Sequence, residues 1–236
     1  MTSEVQGLVS ALAESGSRGA ARLAAWDLLE KACVAGGASV QATAPEAVGL
    51  LLRLLARGDT EWTADVLGVL DATAYMLGEW ENQQQRSGAP WLYESEVGWE
   101  TAVEGLLALG LGPVRELLAH HDPEARSMAA VLLGDASTDW TADLDLLLAA
   151  EAVEPHPLAR ACLAEAAVTI AGRSPSGELP VATERWLRDP EPSVRFRVAR
   201  AVKGAPSDRD ARLAESASRV LDTDHEATRQ VWPAEV

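Results

Sequence analysis

Aromatic residues are scarce in this chain: one Phe and two Tyr, against eight Trp. Runs of β-branched residues are nearly absent, which argues against a sheet-built core. No apolar run approaches the ~20 residues of a membrane span, so no membrane contact is expected. The N-terminal Met1-Thr2-Ser3-Glu4 carries no basic or apolar leader pattern, so a secretory signal is not expected. Cysteine is limited to Cys33 and Cys162, far apart in sequence. Two such residues make no disulfide framework, and a cytoplasmic location is expected. Both lie in Ala/Leu-rich stretches and read as small buried hydrophobes.

Positive charge is also short. The 236 residues hold 36 Asp+Glu against 20 Lys+Arg, a formal charge of −16. That balance argues against nucleic acid as a partner, because phosphate binding needs clustered Lys and Arg. Eighteen of the twenty bases are Arg, so a GC-rich bacterial genome is the expected source. His120, His121, His156 and His225 have no zinc-like spacing with the cysteines, so no metal is expected. No Gly-rich phosphate loop, nucleophile elbow or dinucleotide fingerprint occurs, and no cofactor is expected.

Ala and Leu, both strong helix formers, dominate what remains, and the chain reads as all-α. Val5, Leu8, Val9 and Leu12 fall at i, i+3, i+4, i+7 and predict a helix over about 3–14. A second is expected over about 18–34. Thr43-Ala44-Pro45-Glu46 predicts a capped helix start, with a stop at Gly58. The next helix, capped by Asp59 or Thr60, is expected to run to about Asn82. Residues 83–96 lack a helical period and read as an irregular insert, long for a connection between packed helices. Further helices are expected over about 97–109, 113–120, 123–136, 140–151, 157–172, 179–188, 191–203 and 207–221.

An internal repeat organises the second half. Pro123-Glu124-Ala125-Arg126 recurs as Pro157-Leu158-Ala159-Arg160 and as Pro192-Ser193-Val194-Arg195, at intervals of 34 and 35 residues. Each copy is followed at Arg+3 and Arg+4 by an apolar pair: Ala129-Ala130, Leu163-Ala164 and Val198-Ala199. A weaker copy sits at Ala21-Arg22, followed by Ala25-Trp26. Each unit reads as helix, Pro-containing turn, helix, and neither helix buries its apolar face alone. The repeated Arg is expected to pair with acids or helix-end carbonyls along the stack. Thr60-Glu61-Trp62-Thr63-Ala64-Asp65 is echoed by Thr138-Asp139-Trp140-Thr141-Ala142-Asp143. The 78-residue offset is not two periods, and a shared way of opening a helix would explain it.

Asp122-Pro123 with Arg126 and Ala129-Ala130, and Asp189-Pro190 with Val194-Arg195 and Val198-Ala199, resemble the HEAT-repeat family, in particular its phycobilin-lyase-type HEAT-like repeats. The resemblance covers about 113–204 well and fails over the insert. It implies an α-solenoid of about five or six stacked helical hairpins forming a right-handed superhelix. The chain reads as a single domain over 1–236 with a non-repetitive insert at about 83–98. The family's usual role is protein binding rather than catalysis.

The acid is not spread evenly. Residues 59–104 hold ten carboxylates and one base, −9 in 46 residues, with six of the ten Trp and Tyr residues. Carboxylates supply Coulomb attraction and ring faces a cation–π contribution of about 0.5–2 kcal/mol, a combination suited to a cation. The candidate binding residues are Trp62, Asp65, Tyr75, Glu79, Trp80, Trp91, Tyr93 and Trp99. Two readings are open. In one, this region docks a basic protein or peptide, as an adaptor or an immunity protein for a basic toxin does. In the other, it holds a cationic small molecule, and Asp65, Asp71, Glu79 and Tyr75 act in an enzyme of bacterial specialised metabolism. Packing of the aromatics into separate helix–helix cores would explain the same residues without a site.

Overall fold

The computed structural model describes residues 2–35, 39–58, 60–87, 97–174, 178–205 and 211–231. The fold is all-α, apart from one two-residue ladder, and its helices pack on sequence neighbours. No described helix is long and apolar enough to cross a membrane. Two compact units divide the chain, Met1–Leu117 and Leu118–Val236.

In the first unit, α1 (Thr2–Ala13) and α2 (Arg18–Leu28) form a hairpin. Ser17 opens α2, its hydroxyl accepting from the Ala20 N–H. The helix expected to reach residue 34 widens into a π-turn at Leu29–Cys33 and ends in a ladder of Val34–Ala35 with Ser39–Val40. Side chains satisfy the freed carbonyls: Gln41 donates to Glu30 and Val34, and Thr43 to Ala32 at 2.9 Å. Thr43 thus precedes α3 (Ala44–Arg57) as expected, but its hydroxyl closes the π-turn instead of capping the helix. Gly58 ends α3 at φ 67°, a left-handed conformation that glycine adopts without strain.

α4 (Thr63–Ser87) runs beyond the expected end near Asn82, and α5 begins at Val97. Helix therefore occupies both flanks of the stretch read as an insert, while 88–96 lie outside the described residues. Gln and Arg are good helix formers and carry a helix onward without an apolar period. α5 (Val97–Glu116) also replaces the two expected helices with one, continuing through Gly110, Gly112 and Pro113. Gly110 is a packing residue rather than a breaker, because a Cβ there would lie 2.4 Å from the Leu52 Cδ1 of α3. Pro113 leaves the Leu109 carbonyl without its helical donor, at a position where the Leu109 side chain is 88% exposed. α1 packs on α3, α3 on α5 and α2 on α4, burying Leu12, Leu28, Leu51, Leu67, Leu70 and Leu111 completely.

In the second unit, a 3-10 turn leads to α6 (Pro123–Ala136), α7 (Trp140–Val153), α8 (Pro157–Arg173), α9 (Thr183–Trp186), α10 (Pro192–Gly204) and α11 (Ala211–Val231). The three Pro-x-x-Arg segments open α6, α8 and α10, with Pro in the first turn of each. α6 and α8 run parallel: Arg126 near the start of one meets Glu154, just ahead of the other, and Gly134 meets Ala166 nine residues into α8. A Cβ on Gly134 would come within 3.2 Å of the Ala166 Cα, so the Ala-rich faces do permit close approach. α8 packs on α10 in turn. The helix expected over 179–188 is reduced to the single turn of α9. Pro180 lies ahead of it, and the Pro180 carbonyl accepts from the Thr183 N–H at 2.8 Å.

The arginine pattern has a defined role. Arg126 meets Glu154 through two bonds of 2.7 Å, and donates to the carbonyls of His120 and His121. Arg195 meets Asp224 at 2.6 and 3.0 Å and donates to the carbonyls of Asp189 and Pro190. Arg160 meets Asp189 at 2.9 Å. Each Arg thus reaches the acid 28 or 29 residues onward. The acids Glu154, Asp189 and Asp224 are themselves spaced by 35.

Arg22, the weaker match, does not behave this way. It is exposed, with its Nε 4.0 Å from an Asp65 carboxylate oxygen, and the following Trp26 is 50% exposed rather than core. The two Trp echoes differ as well. The Trp62 carbonyl accepts the first bond of α4 from Val66, whereas Asp139, one residue before Trp140, accepts that of α7 from Asp143.

Candidate functional site

The acidic, aromatic segment is carried by α4 and the start of α5. Trp62 stands just ahead of α4, where its amide donates to the Thr60 hydroxyl at 3.1 Å. Its ring is half-buried, and the indole N–H donates to the Ser15 carbonyl at 2.8 Å, fastening α4 to the α1–α2 turn. Part of Trp62 is thus committed to structure. Asp65 follows in the first turn of α4, its side chain 11% exposed and near Arg22. Acid in a first turn complements the helix dipole.

Asp71 is half-buried and Tyr75, one turn on, is 53% exposed. Trp99 on α5 is 39% exposed and is followed by the buried Glu100. Glu79 and Trp80 continue α4, but their side chains lie outside the described residues, as do Trp91 and Tyr93 altogether. Asp65, Asp71 and Tyr75 therefore share one helix, while Trp62 points back to the first hairpin. Two further exposed apolar side chains, Leu23 (66%) and Trp26, lie on α2, which packs on α4. The sequence concealed them because an isolated Trp in an Ala-rich helix reads as core.

The charge of this unit has a simple source. Outside residues 59–104, residues 1–117 hold six acids (Glu4, Glu14, Asp27, Glu30, Glu46, Glu116) and six bases (Arg18, Arg22, Lys31, Arg53, Arg57, Arg115). They cancel, so the segment carries the unit's whole −9.

A second charged cluster lies on the parallel helices of the other unit. Glu165 of α8 accepts from Arg197 and, at 3.3 Å, pairs with Arg200, both of α10. Arg173 donates to the carbonyls of Gly134 and Asp135. Burial pushes the Asp135 carboxyl up to about 6; Arg173 opposes the shift, Glu165 adds to it, and Arg200 opposes it. A carboxyl titrating there is suited to proton transfer, although nothing in the sequence singled it out. Cys33 is the reverse case. Burial pushes its thiol up to about 11, leaving it unreactive as a nucleophile. His120 stacks on His121 at 4.2 Å, with burial holding its imidazole below the usual value. Among the described residues, no three His, Cys, Asp or Glu side chains are grouped to hold a metal.

The described residues form grooves on the surface, of which two are well defined. One, of about 570 Å³, is lined by residues of α11 and of the turn at α9; the other, of about 340 Å³, lies between α1 and α3. Neither contains a residue of 59–104. No protein-family model, curated protein or solved structure matches this chain.

Proposed function

We propose that this chain is a helical-repeat binding protein of HEAT-like type that docks a basic protein or peptide on the acidic, aromatic face of its first unit. The carrying observation is the coincidence of charge and exposed ring surface. The unit's entire −9 comes from 59–104, and Tyr75 and Trp99 on that segment are open to solvent. Trp26 and Leu23 are exposed as well, on α2, which packs on α4. An aromatic centre with a charged surround suits a partner surface, since aromatic anchors carry much of the energy at interfaces. Carboxylates there speed encounter with a cationic partner and select against an acidic one.

The exposure of Tyr75 favours this docking role over an enclosed pocket for a cationic small molecule. Both the adaptor and the immunity-type role use such a face. The test is binding of a fluorescent Lys/Arg-rich peptide to the full chain and to Tyr75→Ala and Trp99→Ala variants. Weaker binding in both variants supports the proposal. Affinity unchanged in two variants that retain the native circular dichroism spectrum overturns it.

A further inference from the structure

The 35-residue register sets α11 where α7 and α9 stand in the preceding repeats. Glu154, Asp189 and Asp224 each receive the Arg of the preceding Pro-opened helix, so the three acids hold the same place in the repeat, although Glu154 and Asp189 follow a helix and Asp224 lies within α11. α7 has 14 residues, Trp140–Val153. Adding the 35-residue offset gives the window 175–188, and α9 fills only Thr183–Trp186 of it. Residues 178–182 carry no helix. Among the described residues, the face of α11 toward this turn therefore has no full-length helical neighbour, and the groove of about 570 Å³ lies there.

Its lining is amphipathic. Leu187, Leu213 and Val220 supply apolar surface, and Arg188, Arg212 and Arg219 supply charge, with Glu184 and Glu215 beside them. On α11 the lining residues recur at i, i+3, i+4 and i+7 from Arg212 to Thr223, a stripe roughly 16 Å long at 1.5 Å per residue. That length is about three helical turns. Two of the guanidiniums are weakly engaged. Arg188 lies 3.6 Å from Glu184 with both side chains well exposed, and Arg219 donates to the Ser216 hydroxyl only at 3.5 Å. The groove lining thus holds three bases against two acids, in a chain whose formal charge is −16.

We propose that this groove docks an acidic amphipathic helix from a partner protein, seated where the shortened α9 leaves α11 uncovered. A helix is the occupant that the repeat places at this position elsewhere. Its apolar side chains would meet Leu187, Leu213 and Val220, and its carboxylates would pair with the guanidiniums, whose fork matches a carboxylate. The partner is opposite in charge to the one proposed for the first unit, so the two ideas stand or fall separately.

The probe is a fluorescein-labelled peptide of about 18 residues, with Leu on one helical face and Glu on the other, titrated against the full chain by anisotropy. Saturable binding is expected, weakening between about 50 mM and about 300 mM salt. Arg188→Glu with Arg219→Glu should reduce affinity by about tenfold or more. Both side chains are on the surface, so this double variant should keep the parent melting temperature. No binding to the folded chain overturns the proposal, as does unchanged affinity in the double variant. Equal binding of an all-Glu peptide without Leu also overturns it, because the apolar floor would then contribute nothing.

Discussion

Replacing Asp135 by Asn removes one negative charge from the cluster that joins α6, α8 and α10 and leaves the side-chain volume nearly unchanged. Its carboxyl is pushed from 3.8 up to about 6 by burial and by Glu165, against the pull of Arg173 and Arg200. The folded state thus holds the proton more tightly than the unfolded chain does. Stability from protonation is full below the unfolded value near 3.8 and is lost as pH rises through about 6. A shift of roughly two units is worth about 3 kcal/mol at most, at 1.36 kcal/mol per unit. Screening by residual solvent reduces this to about 1–2 kcal/mol for a half-buried group. Asp135→Asn should therefore stabilise the protein by about that amount at pH 8, measured by urea denaturation. The advantage should shrink by about half at pH 5, where the wild-type carboxyl is largely protonated in the fold. Destabilisation at pH 8, or an advantage that does not change with pH, would refute the reasoning.

Three further outcomes follow from named contacts. Arg126→Ala strands Glu154, whose side chain is 4% exposed, and leaves the His120 and His121 carbonyls without their donor. It should cost about 3–5 kcal/mol in denaturant, whereas Lys31→Ala, which breaks an exposed pair with Asp27, should leave the denaturation midpoint nearly unchanged. The Thr183 hydroxyl is fully buried without a hydrogen-bond partner. Thr183→Val should accordingly raise the melting temperature, by the equivalent of about 1 kcal/mol. Cys33 should resist a thiol reagent at pH 8 in the folded protein and react at once in denaturant, since burial holds its thiol near 11.

The sequence made the repeat legible because Pro and Arg fall at fixed spacing and each has one dominant structural use. Pro opens a helix, and Arg bridges to the next unit. The acids that receive the Arg side chains were harder to see. Asp224 sits in the middle of α11 among other polar residues, and only the 35-residue register distinguishes it. The breaks assigned to Gly110 and Pro113 failed because packing overrides propensity: Gly110 lets α5 approach Leu52, and the Pro113 defect falls where Leu109 is exposed. The shortening of α9 was hidden for a related reason. Glu184 and Arg185 are good helix formers, and only Pro180 hints that little precedes them.

At the candidate site, composition identified a region but not the direction of each side chain. Trp62 and Trp26 show why. Both are single tryptophans in Ala-containing segments, yet one ties the α1–α2 turn to α4 and the other faces solvent. Which way a Trp points depends on the neighbouring helix, and local sequence holds no record of it.

The central claim, that the acidic and aromatic face of the first unit docks a basic partner, is tested most directly by a salt series. Binding of a Lys/Arg-rich peptide would be measured by isothermal titration from about 50 mM to about 300 mM NaCl. Affinity should fall steadily with salt and fall further when Asp65 and Tyr75 are replaced by Asn and Ala. Affinity that is absent at low salt, or that is indifferent to salt and to those two residues, would contradict it.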